Sequence, residues 1–137
     1  MSDLFGFIPS RAEMKTDSEI AAMGSVVYFL YADDELLYIG QSTNFKRRVR
    51  LHRQRFFEEA ELVGNPAMER IWFKGFPVPE EQLDEVEKFY IQKYLPPYNV
   101  NWMPERLVKA YASLRLARME VALAETEVVL AKLKTGA

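Results

Sequence analysis

The sequence has no cysteine among its 137 residues. Disulfides, thiolate nucleophiles and cysteine-built zinc sites are therefore excluded, and any metal the chain holds must sit on oxygen ligands. No apolar run approaches the roughly 18 residues of a membrane span, and residues 1–10 lack a basic stretch followed by an apolar one. The expectation is a cytoplasmic protein without a membrane partner. Charge of one sign is also scarce, since 18 basic against 20 acidic residues leave a formal charge of −2. As a sum this argues against a polyanionic partner, because phosphate binders usually carry a basic excess.

What is present reads as an ordinary globular chain, 49% apolar and 28% charged, and its length suits one domain with appendages. The basic residues are not spread evenly. Lys46, Arg47, Arg48, Arg50, Arg53 and Arg55 share a ten-residue window that holds no acid and contains the only histidine, His52. Distribution therefore qualifies what the net charge implies.

Along the chain, residues 1–24 form an N-terminal extension with an aromatic pair, Phe5 and Phe7, and a short helix near Asp17–Met23. Val26–Tyr31 and Leu36–Ile39 are β-branched and aromatic runs on either side of Asp33-Asp34-Glu35, the pattern of a β-hairpin. After Gly40, Ser42, Thr43 and Asn44 are candidate N-caps for a helix carrying the basic cluster to about Arg55. Ile71–Phe76 reads as a third strand. Pro79, Glu80 and Glu81 open a further helix, which Pro96-Pro97 stops. The expected fold class is α+β: a small antiparallel three-stranded sheet flanked by helices, with residues 25–102 as the domain.

Residues 103–137 belong to a long C-terminal helix, since 105–134 contain neither glycine nor proline. Leu107, Ala110, Leu114, Ala117, Val121, Ala124, Val128 and Ala131 repeat at alternating spacings of three and four, flanked by Leu116, Leu123 and Leu130. Folding back on the domain and pairing with a second copy of the chain both suit this pattern.

Three features stand out chemically: the strand tyrosines Tyr28 and Tyr38, the Arg48/His52 pair one turn apart, and Glu87. Strand tyrosines commonly serve in packing, and arginine and histidine can be members of a solvated face. Glu87 stands in a row with Leu83, Ile91 and Tyr94, beside Val86 and Tyr90. A carboxylate there either edges the stripe into water or meets a cation, a donor or a metal ion.

Val26-Val27-Tyr28, Tyr38-Ile39-Gly40, Gln41-Ser42, Asn44-Phe45 and Arg48 together resemble the paired tyrosine motif and following helix of the GIY-YIG nucleases. Glu87, Ile91 and the segment Pro96-x-Tyr98-Asn99 resemble that family's acidic helix and closing motif. The separations agree as well as the residue types: arginine eight after Gly40, histidine four further, the acid twelve before Asn99. Val26 stands where the family motif opens with glycine, which implies a local packing change. Gln41 stands where a lysine is frequent, which removes one cation.

The resemblance implies a metal-dependent DNA endonuclease. Tyr28 and Tyr38 would flank the attacking water, with Tyr28 as base; Arg48 would bind the scissile phosphate, and Glu87 would hold one Mg²⁺ or Mn²⁺. His52 would orient Tyr28, contact phosphate or share the proton work. Lys46, Arg47, Arg50, Arg53, Arg55 and Asn99 would contact DNA, the basic residues making binding salt-dependent. Two other readings stay open: a DNA-structure-binding module that cuts weakly or not at all, and an interaction protein built around its C-terminal helix.

Overall fold

A computed structural model describes residues 16–136; the expectations for residues 1–15, Phe5 and Phe7 among them, fall outside the described residues. The sheet has three antiparallel strands, β1 (Val26–Ala32), β2 (Glu35–Ser42) and β3 (Trp72–Pro77), in the order β2-β1-β3. The architecture is α+β, as the sequence pattern indicates. β1 is central and every residue in it is buried, which explains why its sequence is apolar without alternation. Asp33, at φ 51°, turns β1 into β2; aspartate tolerates that left-handed conformation better than most residues.

Side-chain alternation along β1 divides the core into two. Val26, Tyr28 and Leu30 pack with Phe45, Val49 and Phe56 of helix α2 (Phe45–Val63), whereas Val27, Phe29 and Tyr31 pack with Leu83, Val86, Tyr90 and Ile91 of α3 (Leu83–Tyr94). A one-residue slip would exchange the two faces and move Tyr28 away from α2. Helix α1 (Asp17–Ala21) is closed by a capping box between Thr16 and Glu19. It buries Ile20 against β3, where a Cβ on Gly75 would come within 2.8 Å of Ile20 Cγ2.

Helix α2 spans Phe45–Val63, well past the expected end near Arg55. Nothing between Phe56 and Val63 breaks a helix, and termination waits for Gly64, whose φ of 67° supplies the left-handed cap. Of the three candidate N-caps, Asn44 is the one used: its side chain accepts from the Arg47 amide at 3.2 Å, while Ser42 Oγ accepts from the Asn44 amide at 2.8 Å.

Helix α4 (Glu105–Lys134) lies against α2 through one stripe of its surface. Tyr111 donates to the Leu95 carbonyl at 3.0 Å, Arg115 pairs with Glu59, and Met119 packs on the α2-side core. At Gly64 a Cβ would stand 3.3 Å from that of Ala122. The helix thus folds back on the domain, but not through the large-small row expected to make the contact. Leu114, Val121 and Val128 of that row are 46%, 59% and 54% exposed. Among the described residues, no helix is long and apolar enough to cross a membrane.

Candidate active site

The hairpin register places Tyr28 opposite Gly40, and the lack of a side chain there matters. A Cβ at Gly40 would fall 2.6 Å from Tyr28 Cζ and 2.8 Å from Tyr38 Cε2. The phenol of Tyr28 therefore lies across the backbone of β2, directed at α2. Its hydroxyl is 2.7 Å from His52 Nε2, and both residues are almost fully buried. Tyr38 and His52 are neighbours too, with ring centroids 5.1 Å apart. Four elements of the sequence thus meet: two strand tyrosines, the β2 glycine and the only histidine.

Burial dominates the electrostatics here. It pushes the Tyr28 phenol far above the ordinary value, helped by Tyr38 and Glu87 and opposed by Arg48 and Arg55. Tyr38 moves the same way, mainly by burial and then by the Glu87 charge. His52 is pulled down to about 4 by burial, with Arg55 and Arg48 adding to the effect. Near neutral pH both members of the Tyr28–His52 pair are uncharged, so one shared proton joins two neutral groups.

Glu87 is half-buried, and burial raises its carboxyl above the ordinary range, with Asp84 adding to the rise; Gln41 and Arg48 oppose it. The Gln41 side-chain amide lies 2.6 Å from Asp84 Oδ1 and 3.4 Å from Glu87 Oε1. Arg48 is exposed and lines an open depression of about 460 Å³ with Gln41–Asn44, Arg47 and Leu51. Because Arg48 and Glu87 both act on the two tyrosines, the four groups share one electrostatic neighbourhood.

The expected DNA-contacting residues divide. Lys46, Arg47 and Arg50 are exposed on α2, beside Arg48. Arg53 instead bonds Asp17 at 2.7 Å and the Ile71 carbonyl at 3.1 Å, tying α1 to the start of β3. Arg55 lies over the rings of Phe56 and Tyr98, at 5.2 and 5.5 Å, where its charge reaches Tyr28 and His52. Asn99 is buried, and its amide both accepts from the Ile39 N–H and donates to the Ile39 carbonyl, each at 2.9 Å. That side chain has no free edge for DNA; it clamps β2 between Tyr38 and Gly40.

Tyr98 completes the clamp. Its amide donates to the Leu37 carbonyl at 3.0 Å and its hydroxyl to Glu59 Oε2 at 2.6 Å. Glu59 is buried and also receives Arg115 from α4, Nη2 to Oε1 at 2.7 Å. Sequence reading missed Glu59, Arg115, Asp84 and the Gln41 bridge. A signal existed for two of them: Glu59 falls in the apolar row of α2 once that helix is extended to Val63, and Asp84 lies three residues before Glu87 on α3.

Two strand tyrosines and a helical histidine thus meet in one cluster, with the charges of Arg48 and Glu87 acting on the tyrosines from the flanking helices. The family model of the GIY-YIG catalytic domain matches residues 24–99, more than half of the chain. The chain belongs to the GIY-YIG family, whose members are nucleases. No curated protein and no solved structure matches it.

Proposed function

We propose that this protein is a divalent-metal-dependent endonuclease hydrolysing phosphodiester bonds in DNA, with Mg²⁺ or Mn²⁺ at Glu87. The observation that carries the reading is the 2.7 Å Tyr28–His52 contact, within the field of Arg48 and Glu87. Hydrolysis adds a water oxygen to phosphorus and breaks one ester bond. A proton must leave the water, and negative charge must be met on the phosphoryl oxygens and on the departing oxygen.

Burial argues against a standing Tyr28 phenolate. Tyr28 instead passes its proton to His52 Nε2 as it takes one from the water, so that the charge formed in the core is an imidazolium on His52 and not a phenolate on Tyr28. A DNA backbone entering beside α2 adds negative charge, which raises the proton affinity of His52. Tyr38 lines the same space, and the exposed Arg48 guanidinium presents a two-donor fork to the scissile phosphate. The Glu87 carboxylate fits a hard cation: the side-chain amide beside it, from Gln41 at 3.4 Å, is neutral, and burial raises the carboxyl against the opposing effects of Gln41 and Arg48. No group of three or more histidine, aspartate or glutamate side chains stands together among the described residues. The donor set therefore suits one carboxylate, with water and phosphate oxygens filling the remaining positions. A cation held there by Glu87 would supply positive charge to the departing oxygen.

The test is cleavage of supercoiled, linear, branched and single-stranded DNA with Mg²⁺ or Mn²⁺, against a chelator control. Glu87→Gln is expected to fold and to bind DNA without metal, yet to lose both Mn²⁺ binding and cleavage. Near-normal metal-dependent cutting by this variant would remove Glu87 from the mechanism. Retained binding with no cutting of any substrate by the unaltered protein would favour a non-catalytic DNA-binding module.

A further inference from the structure

We propose that two copies of the chain pair through α4 as an antiparallel coiled coil, joined by the face of that helix that the domain leaves bare. This inference is independent of the nuclease reading. Helix α4 has two faces. Tyr111, Arg115, Met119 and Ala122 form the stripe that meets the domain. The row Leu107, Ala110, Leu114, Ala117, Val121, Ala124, Val128, Ala131 lies about 140° round the helix from it; Leu107 is half-buried and Leu114, Ala117 and Val121 edge grooves shared with Val63 and Gly64 of α2, while Ala124, Val128 and Ala131 stand exposed. This row keeps a strict seven-residue repeat over four heptads, with Leu or Val at the first core position and alanine at every second one. A strict heptad is the signature of a helix that must meet another helix along its length.

Side-chain volume selects the partner and its direction. In an antiparallel pair of identical chains, Leu114 faces Ala131, Ala117 faces Val128, and Val121 faces Ala124, so every layer joins one large residue to one alanine. A parallel pair would alternate Leu-Leu or Val-Val layers with Ala-Ala layers, leaving gaps wherever the large layers hold the helices apart. Charge contributes on one edge, where Arg118 of each copy comes beside Glu125 of the other. On the other edge Glu120 approaches Glu127, so packing and not charge sets the register.

The position of the domain agrees with this register. The centre of the matched row falls between Val121 and Ala124, and Ala122 is the last half-buried residue of α4; residues 123–134 all stand exposed. Each domain therefore covers the first half of its own helix and leaves the second half free to lie along the partner. Both domains then sit over the paired helices without competing for the same length. A second copy of this chain is the occupant that these matches describe.

Light scattering of the full chain should give twice the 16.0 kDa of one copy. Val121→Asp with Val128→Asp should halve that mass while the far-ultraviolet circular dichroism and DNA binding stay unchanged. Direction is read by cross-linking, which the absence of cysteine makes clean. A short bis-maleimide should join Leu114→Cys to Ala131→Cys when the two variants are mixed, with far less product from either alone, because in this register the two copies of either position lie about 25 Å apart. A one-copy mass at the highest attainable concentration overturns the proposal, as it would if another part of the same chain covered the row. Cross-linking of each variant to itself, or a mass above two copies, overturns the antiparallel dimer.

Discussion

At the scale of single residues, Arg48 and His52 lie one helical turn apart yet meet opposite surroundings. Arg48 is exposed beside Arg47 and Arg50, so a purely electrostatic role would make the three interchangeable. If its fork instead meets charge developing on the scissile phosphate, Arg48→Ala should lower single-turnover cleavage by ~10²-fold, with little change in affinity. Arg47→Ala and Arg50→Ala are the matched controls. Equal effects of all three would refute a special role for Arg48. His52 makes a prediction about stability. Its folded pKa, about 4, lies below the ordinary 6.5, so between those values the unfolded chain binds a proton that the folded chain refuses. Stability should be full above pH 6.5 and decline as the pH falls toward 4, by up to about 3 kcal/mol. Urea unfolding across that range should show the decline in the wild type, and His52→Gln, which cannot titrate, should flatten it.

Among elements, the closing motif and α4 act on the site from a distance. Asn99 holds Ile39, Tyr98 holds Leu37 and Glu59, and Arg115 neutralises Glu59. Two of these contacts fall on either side of Tyr38. Arg115→Met leaves a buried carboxylate with only the Tyr98 hydroxyl, and should cost about 2 kcal/mol, discounted because Arg115 itself is partly solvated. Adding Glu59→Gln should recover most of the loss; a double variant no more stable than Arg115→Met would show that the pair is not the source. Acid should act here too. The hydrogen bonds from Arg115 and Tyr98 outweigh burial and hold the Glu59 carboxyl below its ordinary 4.5. Its contribution is therefore complete above that value and is lost as the pH falls through the lowered folded one. That window opens at 4.5, at the acid end of the one governed by His52.

For the whole molecule, a net charge of −2 coexists with a basic strip along the first turns of α2. Six basic residues lie in that window by sequence, but Arg53 is committed to Asp17 and Ile71, and Arg55 lies over Phe56 and Tyr98. Lys46, Arg47, Arg48 and Arg50 remain to meet phosphates. Metal-free DNA binding should thus show a slope of log affinity against log salt of about −3 to −4, and not the roughly −5 expected of six contacts. Fluorescence anisotropy over a range of salt concentrations measures it, and the steeper value would return Arg53 and Arg55 to the interface.

Local patterns determined the hairpin, the apolar centre of β1, the unbroken α4 and the spacings that mark the family. Each depends on residues a few positions apart, where period, turn residues and helix breakers act directly. Glu80 and Glu81, expected to open a helix, instead stand in a 3₁₀ turn, and α3 begins at Leu83. The end of α2 was legible in principle, because Gly64 is the first residue after the basic cluster that favours stopping a helix. The fates of Asn99, Arg53, Arg55 and Glu59 were not. An asparagine sixty residues from Ile39 carries no mark of whether its amide will meet a base, a phosphate or a backbone. Only when the motif folds against β2 do both edges of that amide become occupied. The same holds for α4, whose two faces are both apolar enough to bury: the heptad announced a helix with a seam, and the buried Glu59 waiting for Arg115 decided which face the domain would take.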